Sequence, residues 1–270
     1  MTLDELIAAR PTPAEFIAAH RYFNDTEYRE KTHCSPNSLK YHLKNRKLVS
    51  VRRGTYVSPI IADWPDPYLL GSRLVADIGI IAYTTALHFH LGDPKPEHVI
   101  VVSDARLDRF EHLGVVYQAV KQPHPLDPYR LSGDCIRDHE RSNIHFYVHT
   151  LERAIVDCLH RLDLGPGLEL LWKLLWKLLS ARNTLDWSAM IQHALALGDR
   201  VTIARFGGML AHHPRFSIKS PEVRELLAHK PSSPAMMDPR ANPSDCMYDA
   251  RWRLRVPSSL HRLMSPGWRR

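Results

Sequence analysis

SPNSLKYHLKNRKLVSVRRGTYVS, residues 35–58, decides how this chain is read. Ser35 stands where a helix cap is wanted, and Pro36 takes the first helical position, where a missing N–H costs nothing. A helix starting there is expected to run to about Lys47. Leu39 and Leu43, four apart, share its inner face, whereas Asn37, Lys40, Tyr41, Lys44 and Lys47 fall on the opposite one. Residues 48–52 and 55–58 are β-prone runs around Arg53-Gly54, which predicts a short hairpin with two arginines at its tip.

Upstream, Pro13 opens a helix expected to reach about Tyr22 with Phe16, Ile17 and His20 inward, and Asp25 is the expected cap of a second helix over 26–31. Three helices followed by a basic hairpin make a winged helix-turn-helix. Residues 31–62 hold Lys31, Lys40, Lys44, Arg46, Lys47, Arg52 and Arg53 and no Asp or Glu. The whole chain carries 36 Lys and Arg against 29 Asp and Glu, so outside this window the two signs balance. Charge segregated in this way suits a polyanion, whereas an ordinary solvated helix face intersperses acids. An α-helix fits the major groove while flanking groups grip phosphates. Asn37, Lys40, Tyr41 and Lys44 are therefore the base-facing candidates, and Lys47, Arg52, Arg53 and Tyr56 those for the backbone or minor groove. Winged helices also serve as protein-binding modules, a reading the basic face disfavours.

A chain of 270 residues suggests two domains. Pro65 and Pro67 mark a linker, giving a DNA-binding domain over 1–62, a second domain over 63–260 and a basic tail over 261–270 without fixed structure. The second domain is expected to open with a helix over 66–77 and another over 85–91. Strands over 98–103, 114–121 and 143–149 would form a small mixed sheet, and helices over 150–161, 166–182, 188–197, 200–212 and 221–229 would follow. The expected class is α+β, a winged helix-turn-helix followed by a larger helix-rich domain. LELLWKLLWKLL, residues 168–179, is apolar nearly all round except for Glu169 and a stripe of Lys173 and Lys177. It reads as a buried central helix with one wet edge, too short to span a bilayer.

No stretch suits a signal peptide or membrane span, and Cys34, Cys135, Cys158 and Cys246 lack any paired spacing, so a reducing cytoplasm is expected, with no membrane partner. The histidines, among them the His88/His90 and His212/His213 pairs, lack the spacing that puts two imidazoles on one helix face, and no metal or other cofactor is expected. Asp104, Asp108 and Glu111 follow a strand without the neighbouring acid and lysine of a metal-dependent nuclease. Phosphate-cradling and nucleophile-elbow motifs are missing as well, which points away from an enzyme.

The ordered motifs over residues 16–260 resemble the AbiEi family of antitoxins, from bacterial type IV toxin-antitoxin and abortive-infection systems. They comprise Leu39, Leu43, Leu48, Val51, Arg53, Gly54, Tyr56 and Val57 in the winged helix, then Thr84-Thr85-Ala86-Leu87-His88-Phe89-His90. RLDRFEHLGVVY, TLERAIVDCLHRLDLGPGLELL, IARFGGML and DPR with YDARWRLRV complete the series. Ala154 stands where the family often has Thr, Gly165-Pro166-Gly167 replaces a glycine pair, and His90-Leu91-Gly92 reverses a frequent order. The resemblance implies an autoregulatory repressor that binds double-stranded DNA at its own promoter. It also implies a C-terminal domain that opposes a nucleotidyltransferase-like toxin, in phage defence, without requiring a stable toxin complex. The other reading is a transcription factor of an unrelated regulon whose second domain senses a ligand or protein.

Overall fold

The computed structural model describes residues 10–62, 65–75, 79–104, 107–121, 135–180, 185–213, 215–216 and 219–265. Helix α1 (Pro13–Ala19) begins at a reciprocal cap: Glu15 N donates to the Thr12 hydroxyl, and Thr12 N donates to the Glu15 carboxylate at 2.7 Å. It stops before Tyr22, which belongs to a strand, β1 (Tyr22–Asn24). Asn24 rather than Asp25 caps α2 (Asp25–Thr32). Its Oδ1 accepts from Glu27 N at 2.9 Å while Asn24 N donates to Glu27 at 3.0 Å.

Helix α3 (Pro36–Lys44) ends short of the expected Lys47, because Arg46 turns left-handed at φ 54°. The hairpin of β2 (Val49–Arg52) and β3 (Thr55–Val57) follows, with Gly54 at φ 84° in its turn. β3 pairs antiparallel with both β1 and β2, giving the order β1-β3-β2. This is a winged helix-turn-helix. Phe16, Phe23, Tyr28, Leu39, Leu48 and Tyr56 form its core, with Phe16 edge-on to Phe23 and Tyr28 at 5.2 and 5.6 Å.

Next comes α4 (Pro67–Ser72), capped by Asp66, whose carboxylate accepts from the Tyr68 and Leu69 amides. A six-stranded mixed sheet contains β4 (Ile80–Ile81), β5 (His98–Ser103), β6 (Leu107–His112), β7 (Val115–Lys121), β8 (Ile136–Arg141) and β9 (Ile144–His149) in the order β6-β7-β5-β4-β9-β8. β5 runs parallel to β7 and β4 to β9, while β4/β5 and β6/β7 are antiparallel. Three strands of this sheet are absent from the sequence reading: β4, with only two residues, and β6 and β8, which are the outermost. Their charged residues, Asp108, Arg109 and Glu111 in one and Arg137, Asp138 and Glu140 in the other, suit sheet edges and hide the apolar alternation by which strands are recognised.

The chain forms two compact units, and they are not divided at residue 62. One gathers the described residues within Met1–Ile81, Asp93–Gln122 and Asp138–Val148, the other those within Ala82–Gly92, Pro123–Arg137 and His149–Arg270. Bonds inside the first unit cross the expected boundary. Asn24 Nδ2 donates to Val75 O at 2.9 Å, Asp66 N donates to the Tyr22 hydroxyl at 2.7 Å, and Arg73 Nε lies 3.5 Å from a Glu27 oxygen. Arg141 then reaches Asp66 at 3.0 Å and stacks over the Tyr68 ring at 5.0 Å. Pro67 starts a helix within this unit, so the proline pair shapes a turn. Residues 63–64 of the expected linker lie outside the described residues.

The second unit is mainly helical, with α5 (Tyr83–His90), α6 (Leu151–His160), α7 (Leu168–Ser180), α8 (Trp187–Leu197), α9 (Arg200–Ala211) and α10 (Pro221–Ala228). A small sheet of β10 (Ala235–Met236), β11 (Cys246–Asp249) and β12 (Leu254–Pro257) in the order β10-β12-β11 follows. Here a tail without structure was expected, but Ser258–Met264 is a helix, α11, with Leu260 and Met264 only 1% and 2% exposed. Residues 266–270 of that tail lie outside the described residues. Trp252 is buried beside α9, where a Cβ at Gly207 would overlap its ring. Among the described residues no helix is long and apolar enough to cross a membrane.

Candidate nucleic-acid interface

Helix α3 lies against α2, with the Tyr28 hydroxyl hydrogen-bonded to Ser38 Oγ at 2.6 Å. Leu39 and His42 are buried and Leu43 is half-buried, so this face is committed to the core. The opposite face brings together Asn37, Lys40, Tyr41 and Lys44, all exposed, with Tyr41 at 60%. These four cover about 10 Å of helix at 1.5 Å per residue. That length suits a major groove about 12 Å wide. Burial and the nearby Lys47 charge both lower the His42 pKa, so His42 supports this face as a neutral side chain.

Lys47 is exposed just beyond the helix and Arg53 is exposed at the hairpin tip. Arg46 is exposed between them and joins the same basic rim. It was absent from the expected contact set because an unbroken helix to Lys47 would have turned it away from the others. The Asn45 following Lys44, an ordinary helix-ending residue, was the available signal.

Two of the expected contact residues face elsewhere. Tyr56 is 8% exposed, its ring 5.7 Å from Phe23. Burial, and then the Asp25 carboxylate to which its hydroxyl donates, push the phenol up to about 12. It is a core residue and holds β3 on the start of α2. The Arg52 guanidinium lies 5.2 Å over the Phe110 ring of β6 and is partly withdrawn from solvent. Burial lowers its pKa, with the Asp108 charge opposing that shift. A register irregularity between Ser50 and Arg52 accompanies this orientation. Arg52 thus fixes the turn end of the wing to the sheet of the same unit, leaving Arg53 as its outward cation.

Within the second unit the most concentrated polar chemistry is enclosed. Arg153 Nε lies 2.8 Å from Asp157 Oδ1 and His149 Nδ1 lies 2.9 Å from Asp157 Oδ2, all three being at most 3% exposed. Burial raises the Asp157 pKa, but Arg153 and His149 outweigh it and hold the carboxyl below its ordinary range. Burial holds His149 low. The Cys135 thiol accepts from Arg153 Nη1 at 3.5 Å. With no approach from solvent, this group of side chains braces α6 against the chain entering it. Asp104 is exposed directly after β5. Among the described residues no group of three or more His, Cys, Asp or Glu is arranged to hold a metal ion.

No protein-family model matches this chain, and no curated protein matches it. The resemblance to AbiEi antitoxins therefore rests on the motif residues themselves. Two of those segments meet in space: IARFGGML supplies Gly207 and Gly208 of α9, on which Trp252 of YDARWRLRV packs. In the same helix Arg205 donates from Nε to Met237 O and from Nη1 to Leu159 O, both at 2.7 Å.

Proposed function

We propose that this protein is a double-stranded-DNA-binding repressor of its own promoter and an antitoxin whose second unit opposes a nucleotidyltransferase-like toxin. The observation that carries the DNA half is the outward face of α3, where Asn37, Lys40, Tyr41 and Lys44 stand exposed on a helix whose other side is locked into an aromatic core. Groups able to read base edges lie next to groups able to neutralise phosphates. Arg46, Lys47 and Arg53 extend the cationic rim. The antitoxin half is supported by the motif series, and both roles place the protein in the cytoplasm as a non-enzyme without cofactor.

The test pairs a promoter reporter with growth rescue in one strain. A full-length Lys40→Ala/Lys44→Ala/Arg53→Ala protein, at normal abundance, is expected to lose repression and to keep rescuing cells that express the adjacently encoded nucleotidyltransferase. Retained repression would overturn the DNA assignment. Wild-type repression without any rescue would overturn the antitoxin assignment and leave a transcription factor whose second unit answers to another partner.

A further inference from the structure

Helix α7 has apolar residues on nearly every side, yet the structure encloses only part of it. Leu171, Trp172 and Leu175 are buried, whereas Leu170 is 55% exposed. Leu87 of α5 is buried, and Leu91, which caps its C-terminus, is 56% exposed. The two helices wall a groove of about 320 Å³ whose surface is almost wholly apolar. Leu87, Leu91, Leu170 and Leu174 line it, and Lys173 and Lys177 stand on its edge one helical turn apart. Among the described residues no acidic one lines the groove, Glu169 lying outside it. Among the described residues neither lysine is held in an ion pair.

Leucines left in water beside an unpaired basic stripe are what a soluble chain ordinarily avoids unless something covers them. We propose that this groove docks an amphipathic helix of a partner protein, seating its apolar side chains among the four leucines and placing Asp or Glu residues one turn apart against Lys173 and Lys177. The charge complement follows from the lysines. Their spacing matches carboxylates at i and i+4 on an opposing helix. A small ligand would want convergent hydrogen-bonding groups to orient it, and the groove floor offers little polar surface. Apolar side chains laid into such a groove are a general mode of helix recognition. The inference goes beyond the DNA-binding reading and stands without it.

The test uses the full-length chain and a displayed library of 16-residue helices, with leucine at i, i+3, i+4 and i+7 and the flanking positions randomised among Glu, Lys and Gln. Selection is expected to enrich Glu at two flanking positions one turn apart. The selected peptides should bind Lys173→Glu/Lys177→Glu at least tenfold more weakly. That charge-reversed protein should itself select Lys, which shows it to be folded, and Leu170→Asp should abolish binding. DNA affinity, measured on the same preparations, should stay unchanged in all variants, so failure here is separable from failure of the DNA assignment. A library that yields no binder, or binders indifferent to the lysine reversal, overturns the proposal. Lysine-dependent capture of decanoate with no helical binder would also overturn it, in favour of an amphiphilic anion.

Discussion

Replacing Lys40 and Lys44 with alanine should change how DNA binding responds to salt, and replacing Arg52 should not. Lys40, Lys44, Arg46, Lys47 and Arg53 are the exposed cations on or beside α3 and the hairpin tip. If each neutralises one phosphate, the slope of log K against log salt is about −4.5, and affinity falls about 500-fold between 50 and 200 mM. The Lys40→Ala/Lys44→Ala protein should show a slope of about −2.7, so that the same interval costs about 40-fold. Arg52→Ala leaves the slope as it was, because that guanidinium is spent on the Phe110 ring. Its cost should appear as stability instead, about 0.5–1 kcal/mol for a cation–π contact. Fluorescence anisotropy of a labelled duplex across a salt series measures the slopes, and thermal melts of the same samples measure stability. A slope flattened by about 0.9 in Arg52→Ala, with the lysine variant unchanged, would put the wing rather than α3 on the phosphates and refute the reasoning.

Asn37→Ala and Tyr41→Ala should shift sequence preference in a binding-site selection by about 1–3 kcal/mol at the positions they read, with the salt slope unaltered. Unaltered preference would remove them from the base-reading set. Tyr56→Phe should lower stability by about 1 kcal/mol through loss of its bond to Asp25 and leave DNA binding alone; weaker binding at equal stability would return the residue to the interface. Both His149 and Asp157 have pKa values lowered by folding, so the unfolded chain binds more protons as the solution is acidified. The His149 contribution to stability is present above its ordinary pKa of 6.5 and declines below it. The Asp157 contribution persists until pH falls past the ordinary value of 3.8. Denaturant midpoints should therefore begin to drop near pH 6.5, and a flat profile from pH 8 to 5 would contradict the burial of a neutral His149. Asp157→Asn, which strands Arg153 without its counter-charge, should cost about 3–5 kcal/mol at pH 7.

The helical half of the winged helix could be read directly because Ser35-Pro36 and the Leu39/Leu43 pair state both a start and a buried face. The hairpin was legible from Arg53-Gly54. What escaped was short or charged. β1 has three residues, too few to show a period of two, although Asn24 and Glu27 together spell the reciprocal cap that ends it. Arg52 and Arg53 carry the same charge side by side, but Arg52 ends β2 and turns over Phe110 whereas Arg53 belongs to the turn, a difference set by the strand's end and its irregular register. The C-terminal segment shows its basic charge more plainly than any apolar period. Its order comes from Leu254 and Val256 at strand spacing and from Leu260 and Met264 at helix spacing, a sparse pattern that closes against α7, where Trp172 Nε1 donates to Leu263 O at 3.3 Å. The wet edge of the leucine-rich α7 was legible from Lys173 and Lys177, but the open groove beside it depends on α5, about eighty residues earlier in the chain.

The first compact unit is discontinuous, and the chain passes between the two units five times on its way from end to end. During synthesis this imposes a wait. The winged helix is complete in sequence by Val57, but Phe110, which receives Arg52, emerges later, and β4 gains its parallel neighbour only when Tyr147 and Val148 have followed. At 5–20 residues per second the ribosome needs roughly 5–18 s to cover the distance from Val57 to Val148. Through that interval a finished winged helix hangs from the ribosome with its supporting sheet still unmade. A nascent chain of this kind is open to early contact with nucleic acid and early attack by proteases, so slow codons placed between these points would tax it more than the same codons placed after residue 149.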